Sequence, residues 1–325
     1  MRVIVIGGTG HVGSYLVPRL VRGGHEVTVL TRGPSEPYHH DAAWGQARRV
    51  HVDRESEDAT GEFGRRIAAY EADAVIDMVC FTPDSARGLA DALRGATGHL
   101  LHCGTVWVHG VPSEVPVPED APRRPFGEYG VNKAAAESYL LQQSARGGTP
   151  VSVLHPGHIS GPGWVPINPA GNLDLRVFGA LARGERVVLP NSGLETLHHV
   201  HADDVAQAFE SALSDPVAAV GRAFHVCSER ALTLRGYAEA VAGWFGLQPQ
   251  LVYAPYEQWA AEVGDENAAL THDHISRSSN VSIERARRLL GYAPRYSSLQ
   301  AVREALAWLV AAGRVDTGGR PLSPA

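Results

Sequence analysis

The sequence predicts an α/β fold, a doubly wound parallel (Rossmann) sheet with a smaller, mostly helical C-terminal domain. Three observations carry that reading. Short apolar runs alternate with helical stretches through the first half of the chain. The first run ends in a three-glycine turn that leads straight into a helical pattern. After Pro156 the alternation gives way to a Pro/Gly-rich stretch and then mostly to helix signals.

Val3 to Ile6 is the first expected strand, followed by Gly7, Gly10 and Gly13 and a helix through Ser14–Val21. Strand, glycine turn and helix make a phosphate cradle. Gly7 permits the tight turn, Gly10 a close backbone approach to a pyrophosphate, and Gly13 the packing of helix on strand. The helix N-terminus, His11-Val12-Gly13, then presents free N–H groups and a positive dipole end to the anion. Further strands are expected at Val27–Leu30, Arg48–Val52, Ala74–Asp77, His99–Cys103 and Val151–His155, with helices at Ala59–Tyr70, Pro83–Leu93 and Tyr129–Ala145.

Past the irregular Pro156–Gly171 stretch come a helix (Leu173–Arg183) and a short strand (Val187–Leu189). Ala202–Leu213 and Ala223–Val226 read as a return to the sheet. Helices follow at Leu234–Phe245, Pro255–Val263, Ile283–Leu290 and Leu299–Ala311. Residues 1–157 and 200–228 are thus expected to form the dinucleotide-binding domain, 158–199 and 229–312 the substrate-binding domain, and 313–325 a polar tail.

Composition is ordinary for a globular protein, with 44% apolar and 20% charged residues among 325. No apolar run approaches the roughly 20 residues of a membrane span, and the opening run is too short for a signal peptide. A net charge of −6 argues against nucleic acid as a partner. Cys80, Cys103 and Cys227 lack metal-site spacing and read as buried thiols of a reducing, cytoplasmic protein.

In such folds the residues just past each strand face the ligand. The place after the second strand, where an acid normally grips the adenosine ribose, holds Thr31-Arg32-Gly33. A guanidinium there suits a 2′-phosphate, so NADP(H) is expected over NAD(H). Asp53 is placed to touch the adenine, and Asp77 lies near the onward path of the cofactor; either also reads as a strand-end turn residue. Tyr129 and Lys133, four apart, share one helix face. A lysine beside a phenol favours the phenolate and makes a usable general acid/base. Thr105, beyond the fifth strand, is the candidate hydroxyl to hold the reacting oxygen.

Together these features resemble the extended short-chain dehydrogenase/reductase superfamily, often named the NAD-dependent epimerase/dehydratase family. Gly7-x-x-Gly10-x-x-Gly13, Thr105 and Tyr129-x-x-x-Lys133 match its cofactor motif and catalytic set. Cys103–Gly110 resembles its strand end closing in Val-Tyr-Gly, with His109 in place of the tyrosine. Leu154–Gly163 resembles its Arg-Pro-x-x-x-x-Gly-Pro segment, with His155 in place of the arginine; the resemblance puts Pro156 and Gly157 beside the nicotinamide. It implies that Tyr129 exchanges the proton, Lys133 binds the nicotinamide ribose and lowers the tyrosine pKa, and Thr105 hydrogen-bonds the substrate. It also implies a homodimer through the helices near Pro83–Leu93 and Tyr129–Ala145.

Departures narrow the reaction. Dehydratases of the family carry Asp-Glu after the threonine, whereas Val106-Trp107 stands here, so dehydration is discounted. Nucleotide-sugar members usually carry Arg-Asp-Phe where Leu197-His198-His199 stands, although Asn172 falls near a nucleotide-binding position. His198, His199 and His201 cannot share one side of a strand, and no carboxylate completes a set, so no metal is expected. His109 and His158 flank the expected pocket as substrate contacts or structural histidines. Trp107 and Trp164 line it or pack in the core, Trp164 reading as packing. The expectation is an NADP(H)-dependent oxidoreductase that interconverts a small-molecule secondary alcohol and ketone. Its rivals are a nucleotide-sugar epimerase with tightly bound NAD(P) and a non-enzymatic cofactor-sensing or RNA-binding relative.

Overall fold

The computed structural model describes residues 1–33 and 35–323. Its first half runs β1 (Arg2–Ile6), α1 (His11–Arg22), β2 (Glu26–Thr31), β3 (Arg48–His51), α2 (Arg54–Thr60), α3 (Glu62–Ala68), β4 (Ala74–Asp77), α4 (Pro83–Ala92), β5 (His99–Cys103), α5 (Gly127–Ala145) and β6 (Val151–Pro156). The chain continues through β7 (His158–Ser160), α6 (Leu175–Arg183), β8 (Arg186–Pro190), β9 (Thr196–Leu197), β10 (His199–His201), α7 (Ala202–Ser214), α8 (Pro216–Ala219) and β11 (Ala223–Val226). It closes with β12 (Leu232–Thr233), α9 (Leu234–Trp244), β13 (Gln250–Ala254), α10 (Tyr256–Val263), α11 (Asp265–Ile275), α12 (Glu284–Leu290) and α13 (Ser298–Ala311).

The main sheet is seven-stranded and parallel, in the order β11-β6-β5-β4-β1-β2-β3. The order reverses between β1 and β4, which opens a crevice at their carboxyl ends. Side chains of β1 alternate: Val3 and Val5 join the core with Leu16, Val17 and Phe209, while Ile4 and Ile6 join Phe63, Ile67 and Leu140 on the other face. Burial on both faces explains why the strand is an unbroken apolar run. A third core, built on Phe178, Leu189, Tyr237, Trp259 and Leu306, belongs to the later segments.

Several elements depart from the sequence reading. The helix expected at 59–70 is two helices, hinged at Gly61 with φ +67°. Helix α11 went unread because its buried face includes Thr271 and His274, which carry no apolar signal. The short strands β7, β9, β10 and β12 are too brief to announce themselves, and β13 (Gln250–Ala254) was not expected. The expected tail is not loose over its described length: Val315 lies in the third core, and Arg183 donates to the Asp316 carbonyl. Residues 324–325 lie outside the described residues.

Candidate active site

The glycine turn sits at the crevice. Gly7 has φ +77°, and a Cβ there would come within 2.6 Å of Val79. A Cβ on Gly13 would lie 2.1 Å from the Gly8 carbonyl oxygen, so Gly13 packs the helix against the turn itself. The close approach to the strands is made by Gly8, whose Cβ would meet Val29 and Val5 at 2.9 and 3.0 Å. Gly10 is the N-cap of α1 and supplies no side-chain cap, leaving the first-turn amides of His11, Val12 and Gly13 for an anion. This cradle fits a dinucleotide pyrophosphate.

Around it, Thr9 and Thr31 share a hydroxyl hydrogen bond of 3.1 Å. The Arg32 side chain is exposed beyond β2 and makes no hydrogen bond or ion pair among the described residues; its carbonyl accepts from His51 Nε2. Asp53 is exposed and caps α2 through the Ser56 amide. Asp77 requires a correction. It is 1% exposed, and Arg54 Nη1 donates to its carboxylate at 2.6 Å. Burial alone would raise its pKa, but the Arg54 charge and hydrogen bond outweigh that and hold it below the ordinary carboxylate value. Asp77 also accepts from the Val79 amide, so it organises the turn after β4 rather than touching a cofactor.

Thr105, Tyr129 and Lys133 converge where β5 ends and α5 begins. Thr105 is buried and caps the 3-10 turn Val106–His109. Lys133 is buried and donates to the carbonyls of Cys80 and Cys103, 2.7 Å each, so it ties the ends of β4 and β5 together. Its ammonium stands 5.8 Å from the Tyr129 ring. Tyr129 is not the lowered phenol expected. Burial and the Cys103 thiol push its pKa up to about 12, and only the Thr105 hydroxyl works the other way. The ring itself faces the cleft, 41% exposed, and Trp107 stands edge-on to it at 5.6 Å.

Pro156 closes β6, and Gly157 follows it; a Cβ on Gly157 would strike the His198 carbonyl at 2.2 Å. On the far wall, His274 lies 5.2 Å from both Trp107 and His158, and His158 lies 5.5 Å from His199. His158 and His199 are buried, and neither ring nitrogen of either one has a hydrogen-bond partner among the described residues.

Two expected substrate contacts are corrected. The Asn172 amide is committed inside the protein, accepting from Asn168 (2.6 Å) and the Asp174 amide (3.0 Å) and donating to Thr271 (3.0 Å). His109 is buried away from the cleft against His225, 2.8 Å between Nε2 atoms. Trp164 does not pack in the core either: 45% exposed, it stacks on His11 at 5.4 Å with Tyr38 edge-on.

Arg277 was missed. Its guanidinium is sandwiched 3.8 Å from both Trp107 and Phe126, donates to the Phe126 carbonyl, and has its pKa lowered by burial. No motif surrounds it in the sequence. An open groove of about 370 Å³ lies nearby, between Val111–Val115 and Ser276–Asn280.

The NAD dependent epimerase/dehydratase family profile matches residues 3–227. The chain belongs to this family. It is an NAD(P)-dependent enzyme of the extended short-chain dehydrogenase/reductase type. A 2'-dehydrokanamycin reductase of Streptomyces kanamyceticus is 29% identical over 97% of this chain and 86% of its own length. A UDP-glucose 4-epimerase of Mycolicibacterium smegmatis is 28% identical over 93% of this chain and 96% of its own. The crystal structure of a Thermotoga maritima UDP-glucose 4-epimerase with UDP-glucose has a similar fold (TM-score 0.74, 19% identity), covering 96% of this chain and 99% of that one. Among the described residues no helix is long and apolar enough to cross a membrane.

Proposed function

We propose that this family member is an NADP(H)-dependent reductase of a ketone on a sugar ring. The observation that carries the reading is the convergence of Thr105, Tyr129 and Lys133 beside the glycine cradle, with no acid pair after the threonine. Val106 is buried in the core and Trp107 packs on Tyr129, so nothing there moves protons at neighbouring carbons. The bound nicotinamide supplies the hydride. Tyr129, protonated at neutral pH because its pKa is raised, donates its proton to the developing alkoxide. Thr105 orients that oxygen, and Lys133 holds the ends of β4 and β5 in register around the ribose. A nucleotide-diphosphate substrate is disfavoured, since Leu197 is buried in the third core where such enzymes place an arginine. The 2'-dehydrokanamycin reductase likeness supports a keto-sugar.

Arg32, exposed at the end of β2 and without a side-chain partner among the described residues, supports NADP(H) over NAD(H). Three buried, unpaired thiols support a reducing cytoplasm. Exposed Phe81 and Val131, beside and on the helices α4 and α5, support a homodimer across that face.

A nucleotide-sugar epimerase is the second reading. It is favoured by the His11–Trp164–Tyr38 cluster, which covers the glycine turn and would slow cofactor release. Stopped assays with NADPH and a panel of keto-sugars and keto-aminosugars decide between them. Net NADPH oxidation is expected. Cofactor retained through purification, with substrate interconversion but no NADPH consumption, would establish the epimerase instead.

A further inference from the structure

Beneath the catalytic helix lies a cluster that the proposed reaction does not use. His155 of β6 and His225 of β11 are directly paired across the sheet, so their side chains leave it on the same side. His109 ends the 3-10 turn that Thr105 caps. Glu137 lies on α5, four residues beyond Lys133 and eight beyond Tyr129, on the same helix face. His155 and His225 are fully buried, and His109 and Glu137 are 5% and 4% exposed. One ligand-type nitrogen from each histidine lies within 4.8 Å of the others. Such a set gathers with small ring movements around an ion that holds its ligands near 2.0–2.1 Å.

Hydrogen bonding does not account for the cluster. His225 Nδ1 faces the Ser282 carbonyl at 3.0 Å, and a carbonyl only accepts. Nδ1 therefore carries the proton, and the neutral ring presents a bare Nε2 lone pair toward His109 Nε2, 2.8 Å away. If His109 Nε2–H fills that contact, its Nδ1 becomes a buried lone pair with no donor. If not, two lone pairs face each other. His155 Nε2 and Glu137 Oε2 are 2.9 Å apart, and neither has a further hydrogen-bond partner among the described residues. Buried polar atoms left short in this way call for an explanation. Arg123 donates to the other Glu137 oxygen at 2.6 Å, the outer support a ligating carboxylate usually has.

We propose that His109, His155 and His225 form a binding site for a zinc-type divalent transition-metal ion, with the Glu137 carboxylate beside His155. Three imidazoles are a donor set such an ion takes in a tetrahedral site, with the fourth position open to a carboxylate oxygen or a water. The ion is structural, since the three histidines are buried away from the cleft. It ties the Thr105 turn and the Tyr129–Lys133 helix to two strands of the sheet.

Titration of the full chain with cobalt(II), read by visible absorption, and metal analysis of protein grown with zinc test the site. About one equivalent is expected, with the intense d–d bands of four-coordinate cobalt, displaced by zinc. His155→Arg places a hydrogen-bond donor against Glu137, His109→Tyr keeps an aromatic side chain, and His225→Asn keeps a donor for the Ser282 carbonyl. Each should abolish the bands and the zinc-induced rise in melting temperature while circular dichroism stays unchanged. His40→Asn and His272→Asn, at exposed positions, should change nothing. No four-coordinate spectrum in the parent overturns the proposal. So does an undiminished spectrum in the three ligand variants, which would put the metal elsewhere.

Discussion

The glycine-turn side of the candidate site and the side opposite it are assembled on different terms. On the glycine-turn side, polar groups are held by partners inside the protein. Lys133 is pinned by two strand-end carbonyls, Asp77 by Arg54 and the Val79 amide, and the glycine turn by contacts with its own neighbours. The opposite side draws Trp107, His158, His199, His274 and Arg277 from separate segments. Its imidazoles at His158 and His199 have no internal partner among the described residues. Groups satisfied inside the protein fix local geometry, whereas the buried imidazoles without a partner leave bonding capacity unused.

The largest effect expected falls on the first side. Tyr129→Phe removes only the proton donor, so kcat should fall about a thousandfold while cofactor affinity stays nearly intact. The raised phenol pKa adds a pH signature: reduction should stay level from about pH 6 to about pH 9, because the phenol remains protonated throughout. Turnover of Tyr129→Phe within a few-fold of the parent would break the assignment, and a reduction rate that falls across that pH range would show the phenol ionising there.

Acid stability tests the buried imidazoles next. Burial lowers the pKa of His198 and His201 to about 4 and of His199 to about 3. In β5 it does so for His99, to about 4, and His102, to about 3. Below about pH 6.5 the unfolded chain takes up protons that the folded chain refuses, so stability is complete above that pH and is lost as pH falls toward the folded values. Each buried histidine costs at most about 1.4 kcal/mol per pH unit in this window, so even two of them cost about 2.8 kcal/mol per unit. Urea midpoints should therefore drop sharply between about pH 7.5 and about pH 5.5. Equal midpoints at the two pH values would mean that these imidazoles are not held neutral inside the fold.

The sheet and the glycine-turn side were legible because their signals are local. An apolar run, three glycines and a tyrosine four residues before a lysine each lie within one turn or one strand. Asp77 was misread because its partner, Arg54, sits 23 positions earlier and no spacing announces a buried ion pair. Asn172 and His109 were misread for the same reason, their partners Thr271 and His225 lying 99 and 116 positions away. Trp164 was misread from the opposite side: its hydrophobicity suggested the core, whereas the fold stacks it on His11, a residue 153 positions earlier in the numbering. Arg277 left no trace at all, because a cation enclosed by Trp107 and Phe126 exists only once three segments meet.

Cofactor choice is the smallest effect and the sharpest test of the glycine-turn side, because the Arg32 side chain has no partner among the described residues. Its guanidinium is exposed at the end of β2, where the ribose 2′ substituent is expected, and Thr31 stands where an acid would repel a phosphate. Thr31 is itself tied to Thr9 by a 3.1 Å hydroxyl contact, so its side chain is already directed into the turn. Losing a charged hydrogen-bond partner costs about 1.5–3 kcal/mol. Arg32→Ala should therefore weaken NADP(H) roughly 10- to 100-fold, at one decade per about 1.4 kcal/mol, and leave NAD(H) almost unchanged. Thr31→Asp should move preference further toward NAD(H), since a carboxylate accepts from the ribose hydroxyls and repels the 2′-phosphate. Fluorescence titration of both reduced cofactors against parent and variants measures this directly. Equal losses for the two cofactors on Arg32→Ala would mean that the arginine contacts something they share, and a parent that already prefers NAD(H) would remove Arg32 from cofactor selection altogether.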